Sequence, residues 1–236
     1  MLDFVRVACA VPDVRVGDPL QNARKHCAIL KKADAQKVDI LVFPELSLTG
    51  YTCQDLFFQD SLNDAALAGL GEILNCSRLH PDVVAVVGLP VRLGCRMFNC
   101  AAVLSGGMVH GLVPKTYIPN YHEFYEKRWF SSGEDLHENQ ALLQIPGMPA
   151  QTVPVLPKAL FALADGTAFG VEICEDLWTP IPPSSILALS GAEVIVNLSA
   201  SNETIGKRAY RRELVTHQSA AAACVYAYAS AGAGES

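Results

Sequence analysis

The chain has 236 residues, half of them hydrophobic, and a formal net charge of −6. This is enough apolar material for one substantial core, and no proline-rich, serine-rich or charged linker divides it, so we expect a single domain. The acidic balance argues against binding to nucleic-acid phosphates, because proteins that bind them carry basic surfaces. The amino terminus lacks a basic stretch ahead of a long apolar segment, so we expect a cytoplasmic protein that does not bind membranes.

The eight cysteines are scattered along the chain, mostly within apolar runs. No CxxC pair and no cysteine-histidine cluster at zinc spacing is present in the sequence, so we expect no structural metal. Buried free thiols in a reducing compartment are the expected state of these cysteines.

The first half of the chain alternates strand-like and helix-like segments. Residues 5–11 alternate like a strand, and residues 18–36 repeat apolar positions at helical spacing behind Asp18 and Pro19. A buried strand at 39–46, a helix at 62–79 and a strand at 83–91 follow. Two more strands, at 96–105 and 108–114, are joined by a glycine pair that is typical of a turn.

The second half begins with a polar and aromatic loop and then resumes the alternation. We predict a strand at 167–174, a helix that ends near Gly191, a strand at 192–200, a helix from about 206 to 223 and a last strand at 225–231. Alternating strands and helices indicate an α/β domain, while the adjacent strands in the middle require antiparallel pairs. The sheet structure is therefore expected to be mixed.

Three segments place chemically useful side chains where predicted strands end. FPELSLTGY carries Glu45, PKTYIPNYHEFYEKRWF carries Lys115, and VEICEDLW carries Cys174. The ends of parallel strands share one edge of a sheet, so residues that are distant in sequence can meet there. A carboxylate, an ammonium group and a thiol together can hydrolyse an amide.

Each of these residues has an ordinary structural explanation when it is taken alone. A single buried cysteine is usually a packing residue, and a lysine after a proline is usually a solvated loop residue. A free thiol is mostly protonated at neutral pH and needs a base or a cation beside it, which Glu45 and Lys115 could supply. The catalytic hypothesis depends on all three segments occurring together.

These segments resemble the nitrilase, or carbon-nitrogen hydrolase, superfamily. Further stretches extend the resemblance over nearly the whole chain and make it more specific: LTGYTCQDLF, IPNYHEFYEKRWFSSG, EICEDLW, NLSASNETIGKRAYRRELV and YASAGAGES. They resemble the glutaminase domain of bacterial glutamine-dependent NAD synthetases. The resemblance implies a nitrilase-like four-layer αββα sandwich with mixed sheets.

The resemblance also implies a mechanism. Cys174 would attack the side-chain amide of L-glutamine, releasing ammonia and leaving a glutamyl thioester that water hydrolyses. Glu45 would be the general base, and Lys115 with the backbone N–H of Glu175 would stabilise the oxyanion.

Substrate-binding residues are implied at positions that match the family's motifs. Tyr121, Ser201 and Lys207 would contact glutamine, Glu126 would orient Lys115, and Tyr51 would form a wall of the pocket. For the other aromatic residues of the same loop, a packing role is an equally good explanation: Phe124, Tyr125 and Trp129.

The resemblance predicts more protein than this chain contains. We interpret residues 1–236 as one carbon-nitrogen hydrolase domain, shortened at its carboxyl end, in a fragment of a longer synthetase. The family's second domain uses an SGGxDS loop, whereas Ser105, Gly106 and Gly107 are followed here by Met108 and Val109. We therefore expect no cofactor for this chain, with ATP, Mg²⁺ and deamido-NAD implied only for the missing synthetase domain, and self-association as a homo-oligomer.

Three alternatives remain open. A free-standing amidase or carbamoylase would use the same three residues on another amide. A cysteine-histidine amidotransferase would pair Cys174 with a histidine, although such enzymes favour glycine beside the nucleophile. A catalytically silent assembly module would only pack against partner subunits.

Overall fold

The computed structural model describes residues 4–232 and Glu235, and these residues form eleven β-strands and four α-helices. In chain order these elements are β1 Val7–Cys9, α1 Pro19–Ala35, β2 Ile40–Val42, α2 Asp60–Ser77, β3 Val84–Leu93, β4 Arg96–Ser105, β5 Met108–Pro114, β6 Gln140–Leu143, β7 Gln151–Pro154, β8 Leu160–Ala162, β9 Ala168–Ile173, α3 Pro183–Leu189, β10 Val194–Ser199, α4 Lys207–Ala222 and β11 Val225–Ser230. Every strand and helix predicted from sequence is present.

The strands form two larger sheets and one small one. The first sheet has the order β1-β2-β3-β4-β5, in which β1, β2 and β3 are parallel and β4 is antiparallel to both of its neighbours. The second has the order β11-β10-β9-β8, with only β8 antiparallel. Strands β6 and β7 form a hairpin of their own. The prediction of mixed sheets is confirmed.

The two larger sheets pack face to face, and helices cover their outer faces. Between the sheets, Val86 and Val103 of the first pack with Val171 and Val196 of the second. On the outer face of the first sheet, α1 and α2 bury their apolar sides against β2 to β4. Helix α3 buries Leu187 against the second sheet, beside α4. The order of layers is helix, sheet, sheet, helix, which confirms the predicted αββα sandwich.

Helix α1 shows how local sequence sets these elements. The Asp18 side chain accepts a hydrogen bond from the Gln21 N–H at 3.2 Å, and Pro19 occupies the first helical position. Ala23, Leu30 and Ala33 then recur on the face that the core buries.

Two expectations need correction. Strands β6, β7 and β8 lie in the region predicted as loop. The sequence did not predict them because each is only three or four residues long and has no periodic pattern of its own. They form by pairing with each other or with β9. The cysteines are all free, but Cys9 and Cys95 are exposed and Cys27 is only partly buried. Cys27 still packs against the core under the first sheet, whereas Cys95 lies in the turn between β3 and β4.

Candidate active site

The loops that follow β2, β5 and β9 bring Glu45 and Lys115 into contact and place the Cys174 thiol within range of both charges. Strands β2, β3 and β5 run in the same direction, so the chain leaves the first sheet at one edge before both Glu45 and Lys115. The Lys115 ammonium donates to Glu45 Oε1 at 2.7 Å, across 70 residues of sequence. Both side chains are fully buried. The predicted convergence of the carboxylate and the ammonium group is present in the structure.

Glu45 is held by donors on both of its oxygens. Oε1 accepts hydrogen bonds from Lys115 and from Asn99 Nδ2, each at 2.7 Å, and Oε2 accepts one from the Ala200 N–H at 3.0 Å. Asn99 lies in the middle of β4, and Ala200 directly follows β10. The carboxylate therefore has a single defined position between the two sheets.

Lys115 also contacts a second carboxylate. Its ammonium group lies 2.8 and 3.0 Å from the two oxygens of Glu126, which also accepts a hydrogen bond from the Tyr51 hydroxyl at 2.8 Å. Burial by itself would lower the pKa of Lys115, but the carboxylates of Glu126 and Glu45 raise that pKa well above its ordinary value. Lys115 is therefore a permanent cation, and Glu126 lies where it would orient it.

Cys174 sits at a sharp corner between β9 and a 3-10 helix, Cys174–Trp178. Its φ of +44° lies in the left-handed region that non-glycine residues rarely adopt. Its N–H donates to Asn197 Oδ1 at 3.2 Å, and its sulfur accepts a hydrogen bond from Ser199 Oγ at 3.2 Å. The first amides of such a helix have no partner within it, so the N–H of Glu175 belongs to the set of possible oxyanion donors.

The thiol of Cys174 is protonated at rest. Burial raises its pKa, as does the Glu45 carboxylate, whereas Lys115 and the Ser199 hydroxyl act in the opposite direction. The site thus holds a neutral thiol beside a fixed carboxylate rather than a preformed thiolate.

The alkylation of Cys174 by iodoacetamide tests this. Because burial raises its pKa above the ordinary value of about 8.5, the rate of modification should still be rising with pH beyond that value. Peptide mass spectrometry would follow Cys174 separately, with the exposed Cys95 as a reference for reagent quality. A rate that is already constant below about pH 7.5 would contradict the assignment.

A cavity of about 240 Å³ opens onto the Cys174 side chain. The residues implied for substrate binding at Tyr121, Ser201 and Lys207 all line it, together with Glu175. The Tyr121 hydroxyl donates to the Glu175 carboxylate at 2.8 Å, and the Lys207 ammonium contacts the Asn202 side chain and lies 5.1 Å from the Trp178 ring centre. Three of the five predicted binding residues therefore share one cavity with the thiol.

The other two predicted binding residues, Tyr51 and Glu126, do not line the Cys174 cavity. Tyr51 lines an adjoining cavity of about 210 Å³, which shares Phe124 and Asn202 with the Cys174 cavity, and Glu126 is buried between Lys115 and Tyr51. The geometry supports an orienting position for Glu126 and gives Tyr51 a hydrogen bond to Glu126 as well as a wall position. Tyr125 packs on Trp129 with ring centres 4.9 Å apart, which fits the packing explanation for that pair.

Several residues of the site were not identified from sequence. Asn99 is the only strongly polar side chain in the run MFNCAAVL, and that isolated amide in a buried strand was a usable signal. Ser199 and the Ala200 N–H lie in the NLSAS stretch, but nothing in the sequence indicates which of its polar groups turns toward Glu45 or Cys174.

The cysteine-histidine alternative finds little support. Of the six histidines, His122 lines the Cys174 cavity, but within the residues that the structure describes no imidazole forms a hydrogen bond with the sulfur. His26 is buried and bonds to Asn22 and Ser47, whereas His80 is partly buried and contacts Asp34.

Residues 4–232 and Glu235 contain neither a candidate membrane span nor a candidate metal site. None of their helices is both long and apolar enough to cross a bilayer. Nor do three or more of their histidine, cysteine, aspartate or glutamate side chains cluster as metal ligands would. The cytoplasmic location and the lack of a cofactor stay predictions.

The sandwich fold and a buried carboxylate, ammonium and thiol together define a hydrolase class. The profile of the carbon-nitrogen hydrolase family matches residues 6–236, and the chain belongs to that family. It is 40% identical to the glutamine-dependent NAD(+) synthetase of Mycobacterium leprae, over 99% of this chain and 34% of that protein, and 30% identical to the synthetase of Xylella fastidiosa, over 39% of that protein. The chain thus spans little more than a third of the length of these curated relatives.

Solved structures of related proteins share this fold. The glutamine-dependent NAD(+) synthetase of Cytophaga hutchinsonii superposes with a TM-score of 0.80 at 27% identity, over 96% of this chain and 36% of that one. An amidase of the nitrilase superfamily from Nesterenkonia has a TM-score of 0.75 over 98% of this chain and 78% of its own, and at 19% identity it shows the fold alone. The resemblance to glutamine-dependent NAD synthetases that the motifs indicated is confirmed.

Proposed function

We propose that this chain hydrolyses the side-chain amide of L-glutamine at Cys174, and that the ammonia serves the ATP-dependent conversion of deamido-NAD to NAD in a synthetase domain. The observation that carries the proposal is the buried Glu45–Lys115 pair beside a thiol whose cavity also contains Tyr121, Ser201 and Lys207. The names of the relatives support glutamine as the substrate.

The first half of the reaction forms a thioester. The sulfur of Cys174 bonds to the amide carbon of glutamine while its proton passes to Glu45. Lys115 and the N–H of Glu175 stabilise the negative oxygen of the tetrahedral intermediate. The carbon-nitrogen bond then breaks as Glu45 returns the proton to the departing nitrogen, which leaves as ammonia.

The second half releases glutamate. Water attacks the thioester carbon while Glu45 takes one of its protons, and the carbon-sulfur bond then breaks as Glu45 passes that proton to the sulfur, which gives glutamate and restores the Cys174 thiol. Because Glu45 is held by Lys115, Asn99 and the Ala200 N–H, its carboxylate keeps one position through both halves. Lys207 carries a charge suited to the α-carboxylate of the substrate.

Substrate preference tests the proposal. Release of ammonia should be measured with glutamine, with simple aliphatic amides and with carbamoyl compounds, with and without a synthetase domain supplied from the longer relatives. Preference for glutamine is expected. Faster turnover of simple amides or of carbamoyl compounds would instead favour the free-standing amidase or carbamoylase.

Gly88 provides a test of how Glu45 is positioned. Gly88 lies in β3 against the backbone of residues 44–46, and a Cβ there would come within 2.6 Å of the Pro44 carbonyl oxygen. Since backbone cannot yield as a side chain can, Gly88→Ala should displace Glu45 and lower kcat/KM for glutamine by about 100-fold. We also expect it to lower the free energy of unfolding by about 1–3 kcal/mol.

Gly170→Ala is the matched control. Gly170 also lies in a buried strand, but its added Cβ would meet the end of the Leu187 side chain at 2.8 Å, on the face that packs against α3. We expect a loss of stability without a comparable loss of activity. Full glutaminase activity in a folded Gly88→Ala protein would contradict the positioning argument.

A further inference from the structure

The face of the second sheet that packs against α3 and α4 carries a row of polar side chains next to Cys174. Strands β9, β10 and β11 are parallel neighbours, with Asn197 paired in register to Glu172 on one side and to Tyr228 on the other. Side chains two residues apart on each strand share this face, and the row consists of Glu172, Asn197, Ser199, Tyr226 and Tyr228.

The row divides into two separate hydrogen-bonded groups. Tyr226 bonds to Glu172 and to Asn197, at 3.0 Å for the latter, and Asn197 accepts the N–H of Cys174. Tyr228 bonds instead to Ser199 Oγ at 2.5 Å, and Ser199 bonds to the Cys174 sulfur. One group holds the backbone of the nucleophile and the other reaches its reactive atom.

Counting donors and acceptors gives the direction of the second group. A serine hydroxyl has one proton and two lone pairs. The N–H of Ser201, which can only donate, takes one lone pair of Ser199 Oγ at 3.2 Å. Once Cys174 is a thiolate its sulfur can only accept, so if Ser199 gave its proton to Tyr228 the thiolate would have no donor in this group. With Tyr228 donating to Ser199, and Ser199 to the sulfur, every one of these contacts is satisfied.

We propose that Ser199 and Tyr228 form a hydroxyl relay that stabilises the Cys174 thiolate, with Ser199 as a catalytic residue and Tyr228 as a positioning residue behind it. The inference rests on the nucleophilic role proposed above for Cys174. A hydrogen bond to sulfur strengthens as the sulfur becomes negative, which happens when Glu45 takes the thiol proton and again when the thioester breaks. Neither hydroxyl gives up its proton.

The relay also directs the thiol proton. While Ser199 donates to the sulfur, the S–H bond points away from Ser199, which leaves the proton available to Glu45, the base of the proposed reaction. Ser199 is fully buried and Cys174 nearly so, so water does not compete strongly for either contact.

The test compares three single substitutions: Ser199→Ala, Tyr228→Phe and Tyr226→Phe. Tyr226 is the matched control because it lies on the same strand and face as Tyr228 but bonds to Glu172 and Asn197 instead. For each variant, thermal unfolding would establish the fold, and the pH profile of Cys174 alkylation by iodoacetamide would report on the thiolate.

Ser199→Ala should move the alkylation profile upward by about one pH unit, which is about a tenfold loss of thiolate at a given pH. We expect its kcat for glutamine to fall about 10- to 100-fold with KM little changed. Tyr228→Phe should also raise the alkylation profile and lower kcat, each by a smaller amount than Ser199→Ala does. Tyr226→Phe should leave the alkylation profile unchanged.

Two results would overturn the relay. One is an unchanged alkylation profile in a folded Ser199→Ala protein. The other is an equal shift in Tyr226→Phe and Tyr228→Phe, which would mean that any loosening of β11 has this effect. Failure of the proposed function would look different, because the unsubstituted protein would then not hydrolyse glutamine whatever the alkylation profiles showed.

Discussion

Replacement of Cys174 by alanine is expected to abolish glutamine hydrolysis, by a factor on the order of 10⁶, without unfolding the protein. The nucleophile forms the thioester, so no other group in the cavity can take over its role. The side chain lies at a cavity wall, so losing its sulfur leaves little new void in the core. Alanine also has a Cβ, so the strain of the positive φ is the same in both proteins.

Ammonia release and thermal unfolding, measured on the same preparations, would check this expectation. Cys224→Ala is the control, because Cys224 is 8% exposed against 7% for Cys174 but packs with Leu187 and Ile195 away from the site. It should keep its activity. A folded Cys174→Ala protein that releases ammonia at the original rate would refute the nucleophile assignment.

The silent-module alternative has its own test. An electrophilic analogue of glutamine should label Cys174 in the unsubstituted protein, and digestion with mass spectrometry would locate the label. An intact fold with no label at Cys174 would favour an assembly role without chemistry.

Replacement of Lys115 by methionine is expected to affect both activity and stability. Loss of one oxyanion donor typically lowers the rate by about 100- to 1000-fold. Glu45 and Glu126 would also be left as buried carboxylates without their shared cation, which costs about 3–5 kcal/mol when a buried ion pair is broken. Both effects should appear in the single variant.

A second substitution separates the two effects. Glu126→Gln removes one of the uncompensated charges and keeps a group that can bond to the Tyr51 hydroxyl. Lys115→Met/Glu126→Gln should therefore recover much of the lost stability while its activity stays low. Chemical denaturation and steady-state kinetics would measure the two quantities, and equal stability of the single and double variants would contradict the charge argument.

The pH dependence of Lys115→Met has a definite sign. Burial and the Glu45 carboxylate raise the pKa of Glu126 to about 7, and Lys115 acts against this rise, so losing the lysine leaves the folded-state pKa of Glu126 above its unfolded value. Protonation then favours the folded state, so the stability deficit should be present at about pH 8 and smaller at about pH 5. A deficit that grows toward low pH would point to some other defect, such as poor packing of the methionine.

The amino-acid sequence by itself determined the elements with strong local signals and indicated the three residues that the proposed function uses. Helix α1 has a capping aspartate, a proline and an apolar repeat within one short stretch, so its limits need no tertiary information. Glu45, Lys115 and Cys174 were identified because a strand that ends in a reactive side chain is visible in the sequence, and α/β connections place such ends at one edge.

Only the tertiary structure decided what surrounds those residues. Asn99, the Ala200 N–H and Ser199 reach Glu45 and Cys174 because two sheets meet with a particular register, and β6 to β8 form because of pairing between segments. Tyr51 turned out to bond to Glu126 and to line a cavity that adjoins that of Cys174. A hydrogen bond depends on a few tenths of an ångström between groups distant in the chain, and local pattern carries no information at that precision.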